Sequence, residues 1–280
     1  MSVDSLPAEL VDQTVKLAYN GDDILTLTSC ALVCSGWNAA SRRYIFERVR
    51  VSSDDRLTAL EDLVERDPEV GPYIRTLVVR PSMSVMAKTS SLWIGKLAKK
   101  LPAKLTCLQT IECVDLHELG DAFDGDFVHE LEGFSSVERL TFDQSALHFS
   151  LLYALAAALP GLRHLSLGFL LPLPSMLIRD PEQLHTLQLT SVGLDVGSIY
   201  PYGLRDASHW VLGSPSRHTL RSLTIVARHG SHAAVTGHVL NELGPQLEEL
   251  DLKLEIVFPS SVEAEGACPP RAAQPSDRRC

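Results

Sequence analysis

The segment Leu162-Arg163-His164-Leu165-Ser166-Leu167 decides how this chain folds. Its apolar residues take the first, fourth and sixth places, and the last three residues alternate apolar, polar, apolar, the period of a strand with one buried face. The same spacing recurs upstream at Ile74/Leu77/Val79, Leu108/Ile111/Cys113 and Val137/Leu140/Phe142, and downstream at Leu184/Leu187/Leu189, Leu220/Leu223/Ile225 and Leu247/Leu250/Leu252. Strands this short do not fold alone, so their return implies units that bury their apolar sides against one another.

First positions are separated by 34, 29, 25, 22, 36 and 27 residues, an uneven spacing centred on the period of leucine-rich repeats. Between copies the pattern is helical. Ser91 to Lys100, Phe123 to Leu131, Leu147 to Leu159 and His232 to Leu243 are amphipathic, and Leu101-Pro102, Leu159-Pro160-Gly161 and Leu243-Gly244-Pro245 punctuate the way into the next strand. Pro172 to Pro181 has no helical pattern, and Val192 to Leu212 reads as loop with a short helix around Trp210. The expectation is an α/β chain: an irregular leucine-rich-repeat solenoid with parallel strands on the concave side and helices outside. Fourth and sixth positions face the core while third and fifth face out. Glu112, Arg139, His164, Gln188, Glu249 and Asp251 in that outward row are the candidates for holding a protein substrate, while its Thr and Ser residues suit any exposed strand.

Of 280 residues, 45% are hydrophobic and 21% charged, a globular composition. Thirty-five acidic against 25 basic side chains give a net charge of -10, and a surface that tracks phosphates needs clustered Lys and Arg, so nucleic acid is not an expected partner. Six cysteines without a repeated short spacing read as reduced thiols, which points to the cytoplasm or nucleus. The sequence contains no signal-peptide pattern at its start and no apolar run of roughly 20 residues, so no membrane partner is expected. Asp277 stands where a prenylated cysteine would be, and the turn to Pro, Ser, Ala and Arg after Phe258 predicts a disordered tail over residues 259–280.

Reactive chemistry has no support. No glycine-rich phosphate cradle and no Gly-x-Ser-x-Gly elbow occurs. Cys30 and Cys34 lie one helical turn apart, yet no second pair completes a zinc site. Cys34 and Cys113 sit in apolar patterns without a basic neighbour, and His229, His232 and His238 read as a solvated stretch. No catalytic residue, metal or cofactor is expected, and the chain reads as a binding protein rather than an enzyme.

The first 51 residues have another rhythm. After Leu6-Pro7, the residues Leu10, Val11, Val15 and Leu17 fall near one helical face, and Asn20-Gly21-Asp22-Asp23 breaks the helix. Ile24, Leu25, Leu27, Cys30, Ala31 and Cys34 form a second run ending near Trp37, and a third, from about Ala39, carries Tyr44, Ile45 and Phe46. A three-helix module over residues 1–51 is the expectation, followed by the repeats over residues 52–258. The latter open with a helix from Asp54-Asp55 whose stripe is Leu57, Leu60, Leu63 and Val64.

Read together, Leu6-Pro7-Ala8-Glu9-Leu10, Leu25, Leu32-Val33-Cys34-Ser35-Gly36-Trp37, Tyr44-Ile45-Phe46 and Val49-Arg50-Val51 resemble the F-box in order and separation. With the repeats behind it, the chain resembles a fungal-type F-box and leucine-rich-repeat protein. The resemblance implies a module that docks on the Skp-type adaptor of an SCF-type cullin-RING ubiquitin ligase, while the repeats hold a target for ubiquitin-dependent degradation. Leu6, Pro7, Leu10, Leu25, Val33, Cys34, Trp37 and Phe46 then become the docking or module-core residues, with Trp37 the leading anchor if it is exposed. Thr14 departs from the family, which carries an aliphatic residue there. The competing expectation is a non-catalytic repeat scaffold or regulatory protein without ligase association.

Overall fold

A computed structural model describes residues 6–19, 23–81, 92–116, 129–173, 187–196, 203–227 and 232–255. Helices α1 (Ala8–Ala18), α2 (Ile24–Ala31) and α3 (Ser35–Ile45) lead into β1 (Arg48–Val51), α4 (Asp54–Arg66) and a 3-10 segment, Pro68–Tyr73. Then follow β2 (Thr76–Val79), α5 (Leu92–Lys100), β3 (Thr110–Val114), β4 (Arg139–Asp143), β5 (Ala146–His148), α6 (Phe149–Ala157) and β6 (His164–Leu173). The chain continues through β7 (Ser191–Val196), α7 (Gly203–Gly213), α8 (Ser216–Thr219), β8 (Ser222–Ala227), α9 (His232–Leu243) and β9 (Glu249–Leu254).

One parallel sheet in the order β1-β2-β3-β4-β6-β7-β8-β9 organises these elements, with β5 pairing the far end of β6. Apart from β5, each strand lies beside the next one along the chain, an α/β fold of solenoid-like form. Val49, Leu77, Ile111, Leu140, Leu165, Val192, Leu223 and Leu250 stand side by side in register. A main-chain ladder fixes that register. The carbonyls of Glu47, Arg75, Gln109, Glu138, Arg163, Thr190 and Arg221 each accept two consecutive amides from the next coil, at 2.7 to 3.1 Å.

Two expectations are corrected by this ladder. The fifth expected copy of the repeat, which forms β7, is built on Leu189/Val192/Leu194, not on Leu184/Leu187/Leu189. Both frames satisfy the apolar spacing, because Leu189 closes one and opens the other, and Gly193 weakens the strand signal of the true one. Side chains agree with the later frame: Ser136 donates to the Leu108 carbonyl at 2.7 Å and Thr219 to the Leu189 carbonyl at 2.7 Å, each from just before one first position to the first position of the preceding coil. The second correction adds a copy at the start. Phe46/Val49/Val51 has the repeat spacing, Val49 and Val51 pair Leu77 and Val79, and residues 48–51 belong to the sheet, not to the helical module. First positions then fall at 46, 74, 108, 137, 162, 189, 220 and 247, separated by 28, 34, 29, 25, 27, 31 and 27 residues, more even than the uncorrected set.

The sheet buries one face. Leu77, Val79, Leu140, Phe142, Leu165, Leu167, Val192, Leu194, Leu223 and Ile225 join one core with Leu57, Leu60 and Val64 of α4, Leu97 of α5, Leu152 of α6, Trp210 of α7 and Val239 of α9. Tyr153 and Trp210 stack across this layer with ring centroids 4.8 Å apart. Coils approach closely where side chains are absent: a Cβ on Gly161 would stand 2.7 Å from the Ser135 carbonyl oxygen. Leu147, expected to start a helix, lies in β5, and the helix begins at Phe149. The helix around Trp210 runs the full length of α7. The tail over residues 259–280 and residues 123–128 of the helix expected over Phe123 to Leu131 lie outside the described residues.

The helical module has a separate core, Val11, Val15 and Leu27, against which Tyr19, Cys30, Trp37, Ala40, Tyr44 and Ile45 pack. Asp23 caps α2 by accepting the Thr26 amide at 3.0 Å. Its α3 starts at Ser35, four residues before the expected start, so Trp37 lies in its first turn. An Arg42–Asp67 ion pair ties α3 to the junction of α4 and the 3-10 segment, within the connection from β1 to β2.

Candidate functional site

Helix α1 divides its apolar residues between two faces. Val11 and Val15, four apart, point inward, whereas Leu10, Thr14 and Leu17 fall on another stripe and are exposed. Leu10 and Leu17 therefore do not share the inner face that the periodicity suggested. In α2 only Leu27 is buried, leaving Ile24 and Leu25 outside, and Leu32 and Val33 are exposed in the turn before α3. The exposures are large: Leu17 86%, Leu25 80%, Leu32 85%, with Leu6, Leu10, Ile24 and Val33 between 46% and 52%. Among the described residues, these seven and three on β9 are the large apolar side chains that remain exposed.

The eight candidate docking residues separate accordingly. Leu6, Pro7, Leu10, Leu25 and Val33 are exposed, and the Pro7 carbonyl also accepts the Leu10 and Val11 amides at 3.0 and 3.1 Å to start α1. Cys34 is half-buried at the start of α3, beside an open cleft of about 410 Å³ that also touches Leu32, Asn38, Arg42, Glu69 and Tyr73. Trp37 is not the exposed anchor: it packs on the module's own core. Phe46 packs on the sheet core instead, as the first position of the first coil. Sequence reasoning passed over Leu17, Ile24 and Leu32 as outward residues, because periodicity alone does not say which of two apolar stripes faces in.

The other surface is the sheet face that points away from the sheet core, which no described helix covers. In register across it run Arg48, Thr76, Thr110, Arg139, His164, Ser191, Ser222 and Glu249, with Arg50, Val78, Glu112, Thr141, Ser166, Gly193, Thr224 and Asp251 beside them. Adding β1 brings Arg48 and Arg50 to this face, so it runs from a basic edge to an acidic one. Glu112 is engaged: Arg48 reaches diagonally across β2 to it at 2.5 Å, and Val78, which lies in register between Arg50 and Glu112, is 2% exposed. Arg139 is exposed, whereas His164 is half-buried. Burial, helped by the neighbouring Arg139 charge, lowers the His164 pKa below the usual histidine value. Glu249 accepts from the Ser222 hydroxyl at 2.9 Å, and Asp251 pairs with Lys253 at 3.4 Å. Gln188 does not belong to the row: it lies three residues before the start of β7 and is exposed beside Gly161 and Arg163, a consequence of the corrected register.

Burial pushes the Cys113 thiol up to about 12, far from a thiolate at neutral pH. An apolar void of about 40 Å³ beside it, bounded by Val79, Ile94, Ile111 and Phe142, holds no polar group. Among the described residues no three His, Cys, Asp or Glu side chains gather as metal ligands, and no helix is long and apolar enough to cross a membrane. The chain matches no protein-family model and no curated protein.

Proposed function

We propose that this chain is a substrate-recognition subunit of an SCF-type ubiquitin ligase, docking through its helical module and presenting a target on the open face of a leucine-rich-repeat sheet. The observation that carries the reading is where exposed apolar surface lies. A short module with its own small core leaves Leu6, Leu10, Leu17, Ile24, Leu25, Leu32 and Val33 in water, a grouping that marks an association surface on a soluble domain. The resemblance to the F-box supplies the partner, a Skp-type adaptor. The polar sheet face, basic at β1 and acidic at β9, suits a protein or peptide target held by hydrogen bonds and ion pairs. The contribution of such a subunit is proximity; the chemistry belongs to other subunits.

Co-expression with a Skp-type adaptor tests the reading. The wild-type chain should co-purify with it, and Leu25→Asp and Leu32→Asp should each abolish recovery while leaving the circular dichroism spectrum unchanged. Trp37→Ala is the wrong probe, because it removes core. A chain that folds but never retains the adaptor favours the scaffold reading, to which Thr14, a polar residue between Leu10 and Leu17 on the outer stripe, lends its support.

A further inference from the structure

The second exposed apolar group lies on β9, where Leu250, Leu252 and Leu254 are 47%, 39% and 62% exposed although Leu223, Ile225 and Ala227, their register partners on β8, are buried. Among the described residues no strand pairs with the outer edge of β9. The direction of its free main-chain groups follows from the inner ladder. Glu249 and Glu255 donate to the Arg221 and Ala227 carbonyls, each at 3.0 Å. Main-chain groups alternate sides along a strand, so Leu250, Leu252 and Leu254 turn amide and carbonyl outward. Such an edge is a template for another strand.

We propose that a second copy of this chain occupies it, β9 pairing antiparallel with β9 about a two-fold axis that sets Leu252 opposite Leu252. In this register Leu250 faces Leu254, and all three outward-turned residues meet outward-turned residues, forming six hydrogen bonds between the chains. Charge selects it. Asp251 falls opposite Lys253 twice, on the open face, where both side chains are exposed and now share only a 3.4 Å contact within one strand. Sliding by one pair toward Asp251 sets Asp251 against Asp251, and sliding the other way sets Lys253 against Lys253 and Asp251 against Glu255. Opposed like charges destabilise a strand pair and opposite charges stabilise it. Glu249 against Glu255, at each fringe, is the one unfavourable pair in the chosen register. The dimer would join two sheets into one, with a docking module at each far end.

Light scattering on the full chain after size-exclusion chromatography tests this, with charge reversals on the exposed side chains. The wild-type chain should run at twice 30.7 kDa at high concentration and dissociate on dilution. Asp251→Lys and Lys253→Asp should each be folded monomers, because each sets like charges opposite. An equimolar mixture of the two should return to the dimer mass, since every facing pair is then opposite in sign. The double variant Asp251→Lys/Lys253→Asp should also dimerise. A wild-type monomer at every concentration overturns the proposal, and protected β9 amides in hydrogen exchange would then assign the edge to the chain's own later residues. A dimer indifferent to both single reversals, or a mixture that stays monomeric, overturns it as well.

Discussion

Leu223 and Leu250 hold the same place in consecutive coils, and replacing each by Ala isolates what a following coil contributes. Leu223 is 1% exposed, with Val192 and Leu250 as its register neighbours. Truncating it leaves a cavity, for which core leucines lose about 2–5 kcal/mol. Leu250 is 47% exposed. Solvent fills the space its truncation vacates, and about half of a transfer free energy of roughly 1.5–3 kcal/mol is at stake, so the loss should be about 1 kcal/mol or less. A gap of about 2 kcal/mol corresponds to about 1 M between urea midpoints at a common slope. Unfolding would be followed by far-ultraviolet circular dichroism at a protein concentration low enough to keep the chain monomeric. Equal midpoints for the two variants would falsify the register, since both leucines would then have equivalent surroundings.

Gly161→Ala should destabilise by about 1–3 kcal/mol, read from the same denaturation curves, because its new methyl group meets main-chain carbonyl oxygen and not a yielding side chain. Cys113 should resist a thiol reagent in the folded chain at pH 8 and react on unfolding, whereas half-buried Cys30, Cys34 and Cys107 should react sooner. Glu61, whose hydrogen bond from Lys100 and the nearby Lys104 hold its carboxyl below its usual value of 4.5, stabilises the fold above that pH. Thermal unfolding of Glu61→Gln should therefore fall below wild type at pH 7, and the difference should close as the pH drops below 4.5. His164 should titrate below 6.5 by nuclear magnetic resonance, with Arg139→Ala moving its midpoint up by part of the shift, since burial remains.

The repeat was legible because the code is local: two inward residues and a lead position report a strand wherever they recur. Its phase was less so. Leu184, Leu187, Leu189, Val192 and Leu194 offer overlapping frames, and only the rise set by the neighbouring coils, carried by amides of Thr190 and Ser191 on the Arg163 carbonyl, chooses between them. Gln188 was misplaced for that reason. Phe46 was hidden differently: its spacing to Val49 and Val51 fits the repeat, but its position after Tyr44-Ile45 also continues a helical stripe. On the module, the exposed leucines carry the same pattern that buried ones would. Which face turns inward depends on α2 and α3 packing against Val11 and Val15, a tertiary fact that no single helix encodes.

The shared carbonyls bear on how such a molecule changes in length. Every coil offers the same acceptor at its second place and requires the same one from the coil before it, so all junctions are interchangeable. Excising Arg163 through Leu189 would join Leu162 to Thr190, whose amide then meets the Glu138 carbonyl that Arg163 had used. Unequal recombination within the gene can thus add or remove one turn of the spiral while the main-chain bonds of the junction are kept.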